Sequence, residues 1–139
     1  MENITFFAED VDFNIDNSTK QSTWINSIID SYSKIPGDIS YIFCSDEYLL
    51  KLNIEHLNHD TFTDIITFDY ANAGIISGDI FISIDRVKEN ATKFKVSFLE
   101  ELQRVMAHGI LHIIGFKDKS DEEKKEMREA ENHALELIK

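Results

Sequence analysis

The 139-residue chain is predicted to fold as one α+β domain, because its strand-like segments come mostly first and its helical segments mostly last. Hydrophobic residues make up 42% of it, which is enough to fill a core, and its length is that of one ordinary domain. No internal repeat, low-complexity tract or Gly/Ser-rich linker divides the sequence. We therefore expect a single domain over residues 1–139.

The first part of the chain mixes short strands with helices. Runs rich in β-branched and aromatic residues predict strands over 4–7, 11–15, 39–44, 64–68 and 78–84. Apolar residues repeat at helical spacing from Trp24, just after Ser22 and Thr23, and predict a helix there. The segment 36–38 (Pro-Gly-Asp) predicts a turn. Asp46 is a candidate cap for a short helix over 47–53.

From Asp85 onward the sequence predicts helices alone. Asp85 is a candidate cap for the first of them. Ser97 begins the second, with a glutamate three residues later as in a capping box, and Gly115 is placed to end it. Ser120 opens the last helix with the same pattern. The charged residues of that last helix predict a solvent-facing surface.

Charge is the unusual feature of the composition. The chain has 26 acidic and 14 basic residues, a net charge of −12, which taken whole argues against a nucleic-acid binder. The excess is confined to residues 1–85, with 15 acidic and three basic residues, whereas residues 86–139 have 11 of each. We predict that bases of the second part form a local basic surface: Arg86, Lys88, Lys93, Lys95, Arg104, Lys117 and Lys119.

The length of the apolar runs and the number of cysteines exclude several classes of protein and of site. No apolar run approaches the roughly 20 residues that cross a bilayer, and the first residues lack the pattern of a signal peptide. We therefore expect a cytoplasmic protein with no membrane partner. The single cysteine, Cys44, excludes an intramolecular disulfide framework and a four-cysteine zinc site, and it is predicted to lie in the core.

The most informative pattern is the pair His108 and His112. On a helix, residues four apart have Cβ atoms about 5–6 Å apart, so both imidazoles can reach one metal ion. Asp118, beyond the helix stop at Gly115, can turn back as a third ligand. Such a set leaves positions open for water, as in catalytic sites. Two ordinary surface histidines are the alternative. Gly109 within the helix indicates a packing or functional reason, such as close approach of another backbone.

A peptidase mechanism is disfavoured by one position. In the HExxH pattern a glutamate beside the first histidine acts as general base, and here that place is held by Gly109. Either a metal alone acidifies the water or a carboxylate elsewhere assists. Asp64, at a junction between loop and strand, is the candidate for assistance. A turn residue that bonds backbone N–H groups is the equal alternative for Asp64.

Four segments together resemble one known family. The sequence HGILHIIGFKDK resembles HGxLHLxGYDH of the YbeY family of metal-dependent ribonucleases. LNIEHLNHDTFTDIITF resembles the family's LNxxYRxxxxPTDVLSF, and GDIFIS resembles its GDIxIS strand. EELQRVMAHG resembles the stretch before the first histidine. The resemblance covers about residues 40–120, with the motifs in the family's order.

The resemblance implies a fold and an activity. The fold is zincin-like: a mixed β-sheet packed with helices, one of which carries HxxxH. The activity is that of a metal-dependent endoribonuclease (a hydrolase) specific for single strands, which cleaves an RNA phosphodiester with a metal-activated water. The implied roles are 3′-end maturation of 16S (small-subunit) ribosomal RNA and ribosome quality control. The implied partners are ribosomal RNA, the small subunit, and a ribosomal protein or GTPase.

Site residues carry over position by position. The family's first two metal histidines fall on His108 and His112, and its third falls on Asp118. We expect one divalent ion, first of all Zn²⁺. Among nearby bases, Arg86 and Lys117 are the candidates for binding substrate.

Two positions depart from the family pattern. Asp118 in place of histidine lowers the charge of a divalent site to +1, so a bound water is less acidic and oxygen-preferring metals compete better. Leu57 stands where the family has arginine, and a leucine does not hold a phosphate. The nearby polar side chains that can substitute for that arginine are Lys51, His56 and His59.

Two other classes of function remain open from the sequence. One is a non-catalytic, metal-containing protein of ribosome assembly, which the replacement at Leu57 suggests. The other is a non-haem iron oxygenase, whose two histidines and one carboxylate form a similar triad. That class holds its ligands on barrel strands by analogy, whereas His108 and His112 are predicted to lie on a helix.

Overall fold

A four-stranded mixed sheet forms the centre of the protein. The computed structural model describes residues 3–57 and 63–139. The described strands and helices are, in chain order, β1 (Ile4–Ala8), α1 (Ser18–Ser31), β2 (Ile35–Cys44), α2 (Asp46–Leu57), β3 (Ile65–Asp69), β4 (Ile75–Ser83), α3 (Ile84–Phe94), α4 (Phe98–Ile114) and α5 (Asp121–Ile138).

The strands lie in the order β1-β2-β4-β3. β1 and β4 both pair with β2 in parallel, while β3 pairs antiparallel with β4, with Ile66 opposite Phe81. This confirms the predicted α+β class with a mixed sheet and helices packed on it. None of the described helices is long and apolar enough to span a membrane.

The two faces of the sheet are covered by different helices. In β4 the buried Ile80 and Ile82 belong to the main core, together with residues of α1, α3, α4 and α5. Phe81, which points to the other face because side chains alternate along a strand, packs with Leu49 of α2. α4 therefore lies against the sheet on the face that holds most of the core.

The last three helices begin where their capping residues predict, with one shift. The Ser97 side chain accepts from the N–H of Glu100 at the start of α4. Ser120 and Glu123 form a complete capping box at the start of α5. For α3 the cap is Ser83, which accepts from the N–H of Arg86, so the prediction of Asp85 is wrong. Asp85 lies in the first turn of α3.

The short helix α2 corrects a second cap. The Ser45 hydroxyl accepts from the N–H of Tyr48, so Ser45 rather than Asp46 satisfies the first turn. Asp46 instead accepts from the Ser83 hydroxyl at 2.6 Å and pairs with Arg86 at 2.9 Å. A carboxylate near a helix start therefore joins α2 to the β4–α3 junction.

Two predictions of backbone structure are wrong. Residues 11–15 form no strand, although Val11, Phe13 and Ile15 pack against the main core. The alternation of apolar and polar residues here results from burial of one side of an extended segment, not from pairing in a sheet. The predicted turn at 36–38 lies within β2, at a shift of register between Pro36 and Ile39. Proline is tolerated at such an irregularity.

Candidate metal centre

Helix α4 carries both histidines at partly exposed positions. His108 and His112 are partly exposed, with 21% and 31% of their side chains accessible. Gly109 lies on the sheet side, where a Cβ atom would stand 3.0 Å from Ile65 Cδ1 and from Ile80 Cγ2. The close neighbours at Gly109 are therefore two side chains and not the other backbone that the sequence suggested, and the missing Cβ lets the helix pack closely onto β3 and β4.

The end of α4 sends the chain back toward the histidines. Gly115 has a φ of 132°, and its N–H bonds to the carbonyl groups of Leu111 and His112. A positive φ of this kind favours glycine. Asp118 follows in the link between α4 and α5, and its carboxylate faces both imidazoles. Beside it, Phe116 packs edge-on against Tyr32, the residue that follows α1, and anchors the link.

Three donor atoms form a small triangle. The Nε2 atoms of His108 and His112 are 2.9 Å apart, and each lies 3.3 Å from Asp118 Oδ2. Donor atoms that bind one ion at about 2.0–2.1 Å with ordinary coordination angles lie about 2.8–3.4 Å apart. The triangle therefore fits one divalent ion. Among the described residues, these three are the group of side chains that could hold a metal.

A buried carboxylate lies behind the first histidine. Glu131 of α5 is 6% exposed, and its Oε2 accepts from His108 Nδ1 at 2.7 Å. Its other oxygen, Oε1, accepts from Arg104 at 3.1 Å and lies 3.7 Å from the guanidinium of Arg128. A carboxylate on the far nitrogen of a metal-binding imidazole is the usual arrangement around such ligands.

Charges around His108 shift the pKa values of this group. Burial alone lowers the pKa of His108, but the hydrogen bond and charge of Glu131, together with Asp118, outweigh it and raise that pKa. Burial alone raises the pKa of Glu131, and the bonds to His108 and Arg104 reverse the shift and lower it. Without an ion, the imidazole and the carboxylate therefore stabilise each other's charged forms.

A cavity of about 300 Å³ adjoins the cluster. Its wall includes Asp64, Arg104, His108, Asp118 and Glu131. Asp64 precedes β3, and burial raises its pKa, which the nearby His108 opposes. Its backbone carbonyl accepts from the N–H of Ser83. The carboxylate proposed from the sequence to assist the reaction therefore shares one cavity with His108 and Asp118.

The comparisons with known proteins agree with this geometry. The family model described as Endoribonuclease YbeY matches residues 4–139. The chain belongs to the YbeY family. The endoribonuclease YbeY of Flavobacterium johnsoniae is 52% identical over 132 residues, covering 95% of both chains. That of Flavobacterium psychrophilum is 53% identical over 132 residues, covering 95% of this chain and 94% of the relative.

A solved structure shares the fold. The solution structure of TM1509 from Thermotoga maritima superposes with a TM-score of 0.68 at 26% identity, covering 97% of this chain and 88% of that one. The open sheet of the described residues, with the histidines on a helix, also differs from the strand-borne ligands of the oxygenase alternative. Membership of the YbeY family and the resemblance drawn from the motifs therefore coincide.

The predicted substrate-binding residues lie apart from this cavity. Arg86 of α3 pairs with Asp46 and with Glu89. Lys117 lines a separate surface depression beside Phe116. Neither is among the residues that line the cavity at His108, and their role in binding substrate stays a prediction.

Some sequence-based assignments lie beyond what the structure describes. His59 is outside the described residues, and so is the side chain of Leu57 in the last turn of α2. In the predicted basic surface, Arg86 and Arg104 are engaged in ion pairs with acids. The gathering of the remaining bases into one patch stays a prediction, as does the single domain over 1–139.

Glu131 is the site residue that the sequence prediction missed. It was included in the charged, solvent-facing surface of the last helix, and that assignment is wrong for this position. A signal was present, because Glu131 follows Met127 by four residues and precedes Leu135 by four, on the buried stripe of α5. An acidic residue at an apolar position indicates a buried partner of opposite charge or a hydrogen-bond donor.

Proposed function

We propose that this protein is a metal-dependent endoribonuclease that cleaves single-stranded RNA. The observation that carries the proposal is the cluster of His108, His112 and Asp118 beside a cavity that His108 and Asp118 line, in a chain of the YbeY family. The relatives that it matches over nearly their full length bear the name endoribonuclease. Their name supports RNA as the substrate class of this chain.

The chain's own residues have distinct tasks in this proposal. His108, His112 and Asp118 hold one divalent ion, with Zn²⁺ the first candidate because two imidazoles and a carboxylate suit it. A bound ion would supply an acidified water and would polarise the phosphodiester. Asp64, across the same cavity, accepts a proton from the attacking water. Partial exposure of the three ligands leaves the site open to a polymeric substrate.

The finer assignment follows from the resemblance to the family. We propose maturation of the 3′ end of 16S ribosomal RNA and ribosome quality control as the roles, in the cytoplasm. The partners are then ribosomal RNA and the small subunit, with a ribosomal protein or GTPase beside them. The net charge of −12 supports the need for a protein partner, since an acidic chain binds naked RNA weakly.

Cleavage of a labelled RNA tests the proposal directly. Wild-type protein loaded with a divalent metal is incubated with a single-stranded RNA and with the same strand in a duplex. We expect internal cleavage of the single strand and much slower cleavage of the duplex. The variant His108→Ala/His112→Ala removes two ligands and should abolish cleavage. His133→Ala removes an exposed histidine of α5 and should leave it unchanged.

The outcomes separate this proposal from a non-catalytic role. Binding of metal and of ribosomal subunits by the wild type without any cleavage would favour the assembly protein and overturn the enzyme. Equal cleavage by the double variant and the wild type would show that the reaction occurs elsewhere or comes from a contaminant. Cleavage lost in the double variant and retained in His133→Ala supports the assignment.

A further inference from the structure

A buried acid occupies an apolar position of α5. Glu131 lies between Met127 and Leu135 on the buried stripe of the helix, and its side chain is 9% exposed. An ionised carboxylate is costly to bury unless charged or hydrogen-bonding partners replace water. Arg104 and His108 are such partners, and both belong to the facing helix α4.

The two oxygens of Glu131 are divided between these partners. Arg104 can only donate hydrogen bonds, and it holds Oε1 at 3.1 Å. Oε2 faces His108 Nδ1 at 2.7 Å. An ionised carboxylate only accepts, so Nδ1 must carry the proton. In the neutral ring, Nε2 then has the free lone pair, and Nε2 is the atom that faces His112 and Asp118.

We propose that Glu131 is a positioning residue that fixes the tautomer and ring orientation of His108 before a metal ion binds, with Arg104 holding the carboxylate in place. Along α4 there is a four-residue spacing between Arg104, His108 and His112. One face of the helix therefore carries both imidazoles and the guanidinium that holds Glu131. The inference rests on the proposed metal site and does not depend on which RNA is cleaved.

A purely structural role would use the same contacts. Glu131 also ties α5 to α4, and any variant can lower stability for that reason. The two roles differ in one observable, the position of the proton on His108. A clamp between helices needs only a hydrogen bond, whereas a positioning residue determines which ring nitrogen is protonated.

Glu131→Gln separates the two roles because an amide has one accepting end and one donating end. Arg104 donates only, so it takes the amide oxygen and turns the NH₂ group toward His108 Nδ1. Nδ1 must then accept, and the proton moves to Nε2, the nitrogen needed for the metal. We expect an inverted tautomer and a Kd for Zn²⁺ weaker by about 10- to 100-fold.

Nitrogen NMR of histidine-labelled, metal-free protein at alkaline pH measures the tautomer, and competition with a chelator measures the Kd. Glu129→Gln makes the same chemical change at an exposed position of α5 and should alter neither quantity. Glu131→Asp keeps a pure acceptor and should keep the proton on Nδ1. A folded Glu131→Gln variant with the wild-type tautomer or the wild-type Kd would overturn the proposal.

The wild type alone also decides the question if Glu131→Gln fails to fold. In metal-free wild-type protein the proposal requires His108 to carry its proton on Nδ1, and a proton on Nε2 would overturn it. The readout needs no RNA. Absence of RNA cleavage by the wild type would therefore contradict the proposed function, but it would leave the result on the His108 tautomer unchanged.

Discussion

At the scale of single residues, the site depends on the return of the chain after α4. His108 and His112 are brought together by helix geometry alone, since residues four apart share a face. Asp118 joins them because Gly115 ends the helix with a positive φ and reverses the chain. The sequence carried both signals, and all three donors were predicted from it.

Asp64 offers a prediction at the same scale. Asp64→Asn keeps the size of the side chain and removes its ability to accept a proton. We expect kcat for RNA cleavage to fall by about 100-fold or more, since general base catalysis contributes on this order. Metal content should stay at the wild-type level, because Asp64 is not one of the three clustered donors.

Asp30→Asn, an exposed change on α1, serves as the control for Asp64→Asn and should leave kcat unchanged. Cleavage by Asp64→Asn at the wild-type rate would assign Asp64 to the turn role that the sequence left open. Loss of metal together with activity would make Asp64 a support of the metal site.

The residue that sequence reasoning missed shows the limit of local patterns. Glu131 is 13 residues beyond Asp118, and its partners are side chains of another helix. The sequence of α5 alone does not show that Arg104 of α4 lies opposite Glu131. Tertiary pairing decides whether a glutamate on a helix is a solvated charge or a buried partner.

At the scale of elements, α4 carries Arg104, two residues of the candidate metal cluster and the contact with the sheet. Gly109 makes that contact close, because a Cβ there would meet Ile65 and Ile80 at 3.0 Å. The side chain of Ile80 is fully buried and has little room to move. The height of α4 above the sheet, and hence the position of both histidines, depends on the absence of a side chain at this residue.

Gly109→Ala tests the importance of this close approach. Alanine favours the helix by about 1 kcal/mol, whereas overpacking in a filled core costs about 1–3 kcal/mol. We expect a net loss of about 1 kcal/mol in the free energy of unfolding, measured by urea denaturation, and a weaker Kd for Zn²⁺. A more stable protein with an unchanged Kd would contradict the account of this helix.

The capping box of α5 gives a prediction about pH. The backbone N–H of Ser120 donates to Glu123 and lowers the pKa of that carboxyl below its usual range. A group whose pKa is lower in the folded state stabilises the protein above its unfolded pKa, about 4.3, and this contribution is lost as the pH falls through the folded value.

Glu123→Gln should remove that part of the acid sensitivity. In urea denaturation at a series of pH values, the wild type should lose more stability than Glu123→Gln between neutral and acidic pH. Glu129→Gln, exposed on the same helix, should follow the wild type. Parallel curves for wild type and Glu123→Gln would contradict the coupling between this carboxylate and the cap.

The ends of helices were predictable where a capping serine or a terminating glycine marks them. Ser97, Gly115 and Ser120 mark the ends of α4 and α5, and the structure confirms all three. The segment 11–15 was mistaken for a strand because alternation records one-sided burial, which a segment outside the sheet can also show. The caps at Asp46 and Asp85 were each misassigned because a hydroxyl one or two residues earlier bonds the helix N–H instead.

At the scale of the whole molecule, charge is divided along the chain. The acidic excess belongs to residues 1–85, and residues 86–139, which include the candidate metal cluster, are neutral overall. An RNA that approaches this protein meets repulsion from the first part. We therefore expect productive binding to depend on bases of the second part and on ionic strength.

Charge reversal at exposed lysines of α3 tests this division. Lys88→Glu/Lys93→Glu should lower kcat/KM for RNA cleavage several-fold at low salt, with a smaller effect at high salt because ions screen the charges. Lys20→Glu/Lys34→Glu makes the same change in the acidic part and should have a weaker effect. Equal losses in both variants would contradict the predicted basic surface.

The central claim is that one divalent ion at His108, His112 and Asp118 is the source of RNA cleavage. Titration of the metal-free protein with Zn²⁺, with bound metal counted by native mass spectrometry and cleavage measured in the same samples, tests it most directly. The account predicts that cleavage rises in proportion to bound metal and saturates at about one ion per chain, with neither in His108→Ala/His112→Ala. Equal metal content in wild type and double variant, or cleavage independent of metal, would contradict it.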